Sequence, residues 1–185
     1  MTFLIRPATP DDAAAIAAIY APYVEDHSVS FEEHAPSPIE MADRMAKVTA
    51  AGLPWLVAEN DDWIVGFAYA RPYHERPAYR FAVETTIYVA EDRQREGAGR
   101  QLYMALIRTL AAQNYTQAIA LIALPNEASL GMHEAVGFQR AGVWRSVGYK
   151  QGEWRDVGLW QRQLALPEEP PEETLPFSAV GVILS

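Results

Sequence analysis

The chain has 185 residues, half of them hydrophobic, and 15 Lys plus Arg against 24 Asp plus Glu give it a formal charge of −9. That length suits one domain with a single sizeable core, and no apolar run approaches the roughly 20 residues that cross a bilayer. The absence of cysteine excludes disulfides, thiolate metal sites and cysteine nucleophiles, and the acidic balance argues against a nucleic-acid partner, whose phosphates need a basic surface.

In chain order, Phe3 to Arg6 reads as a short strand, and MTFLIRPATPDD carries acidic residues where an export signal needs a long apolar segment. A cytoplasmic protein that engages neither membrane nor nucleic acid is expected. Thr9-Pro10-Asp11-Asp12 has the cap, proline and acidic first turn of a helix start. Ile16, Ile19, Tyr20, Tyr23 and Val24 give that helix its buried stripe, which Pro22 should end or kink. A loop or short strand around Phe31 leads to Ser37-Pro38-Ile39-Glu40, a capping box that opens a second helix running to Gly52. Trp55 to Glu59 and Trp63 to Tyr69 read as a hairpin about Asn60-Asp61-Asp62, followed by a loop, Arg71 to Tyr79, with two prolines.

Val83 to Met104 is the chemically informative stretch. β-branched and aromatic residues alternate through Glu84 to Val89, as in a strand, and apolar residues recur at three- and four-residue steps from Gly99, as in a helix. At the junction, Gly97 and Gly99 allow backbone N–H groups to converge at a helix N-terminus, ringed by Arg93, Arg95 and Arg100. A phosphate-bearing ligand is implied. The dinucleotide fingerprint fails at Leu102, and a P-loop fails because Gly99 precedes Arg100. An ordinary glycine-rich turn is the competing reading. Thr116 to Leu124 is almost entirely apolar, like a strand buried on both faces; Asn126 caps a helix carrying Leu130, His133 and Val136; and Ala141 to Lys150 with Trp154 to Leu164 form a hairpin about Gln151-Gly152. Residues 166–185 contain four Glu and no Lys or Arg, which leaves −5 on the rest of the chain. They read as a flexible Pro/Glu-rich C-terminal tail after a domain of residues 1–165, dispensable for activity, although the terminal AVGVIL could dock on the body or on a second chain.

The loop Gln94-x-x-Gly97-x-Gly99 resembles the pyrophosphate loop of the GCN5-related N-acetyltransferases. The likeness widens through Ile5-Arg-Pro-Ala8, Pro54 to Glu59, Glu84 to Val89, Leu124-Pro-Asn126, Met132 to Phe138 and Asp156 to Trp160, with the Gly152 to Val157 stretch closest to the phosphinothricin and methionine sulfoximine acetyltransferase subgroup. The resemblance implies an α/β fold with a mixed central sheet of about seven strands flanked by helices. It implies acetyl-CoA as co-substrate, no metal, and acetyl transfer to the α-amine of a small amino-acid-like acceptor in a ternary complex. It implies that the backbone of Ile87, Tyr88 and Val89 pairs with pantetheine, that the N–H groups of Arg95, Glu96, Gly97, Ala98, Gly99 and Arg100 hold pyrophosphate, and that Asn126 reaches the pantetheine arm.

For chemistry, Glu84 is the candidate base, since an amine must be neutral to attack. His133, two helical turns after Asn126, is the second candidate, with its acid or base role open. A solvent-facing Glu84, or one paired with Arg80, and a structural His133 are the bland alternatives. His74, Glu75, Arg76, Arg80, Glu84, Thr85 and Thr86 are expected to line the acceptor site, with Arg71 as a further carboxylate binder and Phe31 closing over apolar parts. A homodimer is plausible. Acetylation of protein N-termini or polyamines, and a non-catalytic acyl-CoA-binding module, are the competing functions; the arginines between Arg71 and Arg80 disfavour a polycationic acceptor.

Overall fold

The computed structural model describes residues 3–184. Seven strands form one mixed sheet: β1 (Leu4–Pro7), β2 (Trp55–Asn60), β3 (Trp63–Pro72), β4 (Ala82–Val89), β5 (Gln117–Leu124), β6 (Gln139–Lys150) and β7 (Glu153–Gln163), in the order β1-β2-β3-β4-β5-β7-β6. Every neighbouring pair is antiparallel except β4 with β5. The helices are α1 (Ala13–Glu25), α2 (Pro38–Ala50), α3 (Ala98–Ala112), α4 (Glu127–Ala135) and the one-turn α5 (Phe177–Val180). The expected elements are all present, and none of these helices is long and apolar enough to cross a membrane.

Alternation along β4 explains how the helices divide. Tyr88 packs against Tyr20 and Tyr23 of α1, with ring centroids 4.8 and 5.0 Å apart, whereas Thr85 meets Tyr103 of α3. Successive strand residues face opposite sides, so α1 and α2 cover one face and α3 the other. Leu56, Val57, Phe67, Leu102, Leu106 and Leu110 are buried between them. Arg6 ties β1 to β2 and to the start of α1, through Glu59 at 2.8 Å and both oxygens of Asp12. The cap at Ser37 forms as expected. Pro22 does not end α1, which runs to Glu25; the proline sits one turn from the end, where its carbonyl still accepts from Asp26 N–H at 2.8 Å.

The β4–β5 pairing is brief. Only Ala82, Val83 and Glu84 are in register with Gln117, Ala118 and Ile119; beyond Glu84 the strands part, β4 remaining on β3 and β5 on β7. A wedge of side chains accompanies the parting: Thr85 Oγ1 donates to the Ile119 carbonyl at 3.3 Å and accepts from buried Tyr103 O–H at 2.8 Å.

The C-terminal segment differs from the flexible reading. Leu175 N–H donates to the Gln113 carbonyl, Phe177 N–H to the Gly52 carbonyl and Ile183 N–H to Thr109 Oγ1, at 2.8–3.0 Å. Fully buried Gln113 returns its amide to the carbonyls of Gly52 and Leu175. Glu173 takes Arg80 through both oxygens, and Phe177 and Val182 pack on the core. The segment is tied because several of its N–H groups find acceptors on the body and its apolar residues find a surface, which composition alone does not reveal. Truncation after Leu166 is therefore expected to cost about 2 kcal/mol, lowering the thermal midpoint by roughly 4–8 °C in circular dichroism melts. An unchanged midpoint would show that the segment contributes nothing to the fold.

Candidate active site

The parting of β4 and β5 opens a cavity of about 1040 Å³, at the upper end of what a small ligand occupies and so with room for more than one. Its floor is the exposed edge of β4 from Thr85 to Val89, and Leu121 to Ala123 of β5 form the facing edge. Backbone donors and acceptors on these edges have lost the strand that would pair them. Such an edge accepts an extended ligand carrying amides.

One end of the cavity is an anion site. A short 3₁₀ turn, Glu91–Arg93, leads to Arg95 at φ 65° and Gly97 at φ 92°, which caps α3. Those left-handed residues turn successive N–H groups inward at the positive end of a 15-residue helix. Gly99 packs closely, a Cβ there coming within 2.6 Å of Met132 Cε and 3.2 Å of Val89 Cγ2, so a larger residue would displace the Met132 side chain. Arg93 is engaged by Glu96 at 3.1 Å, whereas Arg95 and Arg100 line the cavity without an ion-pair partner among the described residues. Gln94, singled out for the loop pattern, donates to Tyr23 O–H at 2.8 Å, and Tyr23 donates to the Val89 carbonyl at 2.5 Å, so α1 fixes both the loop and the strand end. That link spans more than sixty residues and has no local signal in the sequence.

Opposite the floor, α4 presents Asn126, Ser129, Met132 and His133 to the cavity, as the seven-residue step from Asn126 to His133 required. Asn126 Oδ1 caps α4 by accepting from Ser129 N–H at 3.1 Å, which leaves its amide N–H₂ to donate. His133 is buried, with its ring edge-on to Tyr103 and Phe138 at 5.1 and 5.2 Å. Its Nδ1 lies 2.7 Å from the Ser129 carbonyl, which can only accept, so Nδ1 carries the proton and Nε2 a lone pair. Burial lowers its pKa from the usual 6.5, against the opposing effect of the Ser129 bond. At neutral pH His133 is thus a neutral imidazole suited to accepting a proton rather than donating one.

The other end holds Glu84 and Arg71, directly opposed on β4 and β3, with Arg71 Nη2 2.6 Å from Glu84 Oε1. The Glu84 side chain is 12% exposed, and neither its pairing with Arg80 nor a free solvent-facing position is found. Thr85, Thr86 and Phe31 also line the cavity, together with Ser30 and Glu32 of the α1–α2 segment, Tyr69, and Trp144 and Val147 of β6. Sequence reasoning passed over these last five because their approach depends on tertiary packing. His74, Glu75, Arg76 and Arg80 lie outside this cavity. Their loop turns away through a 3₁₀ turn at Pro77–Tyr79; His74 accepts from Arg76 N–H at 3.1 Å and rests against Tyr79, and Arg80 is committed to Glu173. Among the described residues no group of three or more His, Asp or Glu could hold a metal.

A splayed mixed sheet with a glycine-capped anion site at its opening defines an acyl-CoA-dependent transferase, and comparison with known proteins agrees. Residues 5–159 match the acetyltransferase (GNAT) domain, and the chain belongs to this family. It is an acetyl-CoA-dependent N-acetyltransferase. It is 41% identical over 176 residues to phosphinothricin N-acetyltransferase of Streptomyces viridochromogenes, covering 95% of each chain, and 47% identical over 161 residues to that of Alcaligenes faecalis, covering 86% of this chain and 82% of the other. Among solved structures, the phosphinothricin acetyltransferase of Sinorhizobium meliloti in complex with AcCoA superposes with a TM-score of 0.88 at 34% identity, covering 94% of each chain.

Protonation of His133 supplies a check. Its folded pKa is depressed, so its contribution is complete above 6.5 and is lost as pH falls from there toward the folded value, because the unfolded chain then binds a proton that the folded chain refuses. The urea midpoint should fall more steeply between pH 7.5 and 5.5 for the unaltered protein than for His133→Gln. Equal slopes would mean that His133 protonates freely in place.

Proposed function

We propose that the acceptor is the α-amine of a small amino-acid-like molecule such as phosphinothricin or methionine sulfoximine. The Glu84–Arg71 ion pair at the head of the cavity carries this reading. An α-amino acid is a zwitterion, and a carboxylate beside a guanidinium offers it the mirror arrangement: ammonium to Glu84, carboxylate to the Arg71 fork. A polyamine would meet uncompensated repulsion from Arg71, and a simple amine would leave that guanidinium unused. The names of the relatives point the same way.

In this reading Glu84 removes the proton that keeps the amine unreactive, directly or through a water. The peptide groups of Ile87, Tyr88 and Val89, the N–H groups from Arg95 to Arg100 and the Asn126 amide hold acetyl-CoA, which when bound supplies an acetyl group activated as a thioester. Neutral His133, with its lone pair on Nε2, orders or accepts a second proton on the α4 side. The chain has no cysteine to carry an acetyl group, so amine and cofactor must be held together. We further propose a cytoplasmic homodimer, supported by the exposed Trp144, Val147, Tyr149 and Trp154 along the β6–β7 hairpin, an apolar strip of the kind that subunits cover.

Thiol release from acetyl-CoA with a panel of amines tests the acceptor class: turnover should be confined to α-amino acids, and preference for a polyamine or a peptide N-terminus would overturn it. Glu84→Gln should lower kcat/KM about 100- to 10 000-fold. Arg71→Ala should raise KM roughly tenfold or more for an α-amino acid while leaving an amine without a carboxylate little affected. Equal effects on both amines would remove Arg71 from carboxylate binding.

A further inference from the structure

Lys150 is the last residue of β6, at the edge of the sheet, yet it is buried, 9% exposed. It donates all three of its N–H groups to backbone carbonyls: Val24 at the end of α1 at 2.5 Å, Ser30 at 2.7 Å and Glu32 at 2.8 Å. A lysine used only for solubility would point outward, and one used as a base would not be saturated with acceptors. Burial lowers its pKa, an effect opposed by the charges of Glu32 and Glu33. Two of these carbonyls, those of Ser30 and Glu32, belong to the irregular stretch between α1 and α2, whose backbone has no strand or helix to satisfy it, and the third, that of Val24, belongs to the last turn of α1.

That stretch is a wall of the cavity, contributing Ser30, Phe31 and Glu32. Its side chains are held as firmly as its backbone. Tyr20 O–H reaches Ser30 Oγ at 2.7 Å and Glu32 at 2.9 Å, and Arg44 of α2 grips Glu32 through two bonds of 2.7 Å. Phe31 lies over Gly148, two residues before Lys150, so closely that a Cβ on that glycine would stand 2.2 Å from the ring. Lys150 and Gly148 thus meet the wall from the same strand, one through its carbonyls and the other through the Phe31 ring.

We propose that Lys150 is a positioning residue for the acceptor: it clamps the segment of residues 24–32 onto the end of β6, and with Gly148 sets how far Phe31 reaches over the acceptor end of the cavity. The acceptor part of this inference rests on the reading of that end given above. The lysine bonds fall on Val24, Ser30 and Glu32, and the same segment reaches the turn before the anion site through exposed His27, 2.7 Å from Glu91, so the clamp should weigh more on recognition of the amine than on recognition of the cofactor.

Hydrogen exchange and kinetics on Lys150→Met and Gly148→Ala test it. Lys150→Met should speed amide exchange in residues 26–34 about tenfold or more, with α3 unchanged, because three bonds to a charged donor are lost. It should also raise acceptor KM about tenfold with acetyl-CoA affinity, measured by calorimetry, within about twofold. Gly148→Ala keeps the clamp but displaces the ring, and should raise acceptor KM about threefold or more without faster exchange. Unchanged acceptor KM in both variants overturns the positioning role, as does a parallel loss of acetyl-CoA affinity. Should Lys150→Met fail to melt cooperatively, Gly148→Ala decides alone. Absence of turnover by the unaltered enzyme on any α-amino acid is failure of the acceptor reading instead; unchanged exchange in residues 26–34 of Lys150→Met would still overturn the clamp.

Discussion

Three residues of parallel pairing, Ala82 to Glu84 against Gln117 to Ile119, are the constraint on which the rest of the molecule depends. Were the pairing longer, β4 and β5 would close into a continuous sheet and no cavity would exist. Were it absent, the two halves would share little beyond helix packing. Thr85 marks the change, because its hydroxyl reaches the Ile119 carbonyl where a backbone N–H would otherwise continue the ladder. Tyr103 completes that hydroxyl's hydrogen bonding from inside α3, so the separation is held by a satisfied buried pair rather than by strain.

From this separation the division of labour follows. Strand alternation puts Glu84, Thr86 and Tyr88 toward α1 and α2, and Thr85 toward α3. The helix that follows β4 starts beside the open edge because Gly97 turns the chain back within a few residues of Val89. A chain of net charge −9 can therefore still present Arg95 and Arg100 at one point, since local backbone geometry, rather than the overall balance, decides what an anion meets.

Wherever the fold is encoded by local periodicity, it was legible in the sequence. The capping box at Ser37, the two hairpins, the apolar β5 and the glycine-capped α3 each carry their own signal within a few residues, and all are present as expected. Asn126 and His133 were also readable, because helical spacing alone determines that they share a face. What could not be read depends on residues far apart. Arg71 rather than Arg80 meets Glu84 because the β3–β4 register opposes them, a fact set by a connection nine residues long. The α1–α2 segment is held as a wall by Tyr20 and Arg44 and, from more than a hundred residues away, by Lys150. The C-terminal segment looked disordered by composition, yet its prolines remove N–H groups that would otherwise need partners, and those of Leu175, Phe177 and Ile183 meet Gln113, Gly52 and Thr109. Composition measures the average tendency of a segment; it is blind to one buried glutamine waiting with the right carbonyl.

These dependencies separate the two recognition tasks physically. In the proposed reading the cofactor side is built largely from backbone, namely strand edges, turn N–H groups and a helix start, with Arg95, Arg100 and the Asn126 amide beside them. The acceptor side is built from side chains delivered by four elements: Arg71 from β3, Glu84 from β4, Phe31 and Glu32 from the α1–α2 segment, and Trp144 and Val147 from β6. Backbone recognition is tolerant of substitution and side-chain recognition is not. In the proposed reading the acceptor wall is clamped chiefly to the sheet end at Lys150 and Gly148, while Tyr23 and His27 at the end of α1 link the same region to the loop that precedes Gly97. If the proposed acceptor reading holds, the zwitterionic match at Glu84 and Arg71 is the fixed part of acceptor recognition, and the wall opposite it is the part through which acceptors of different length and shape are told apart.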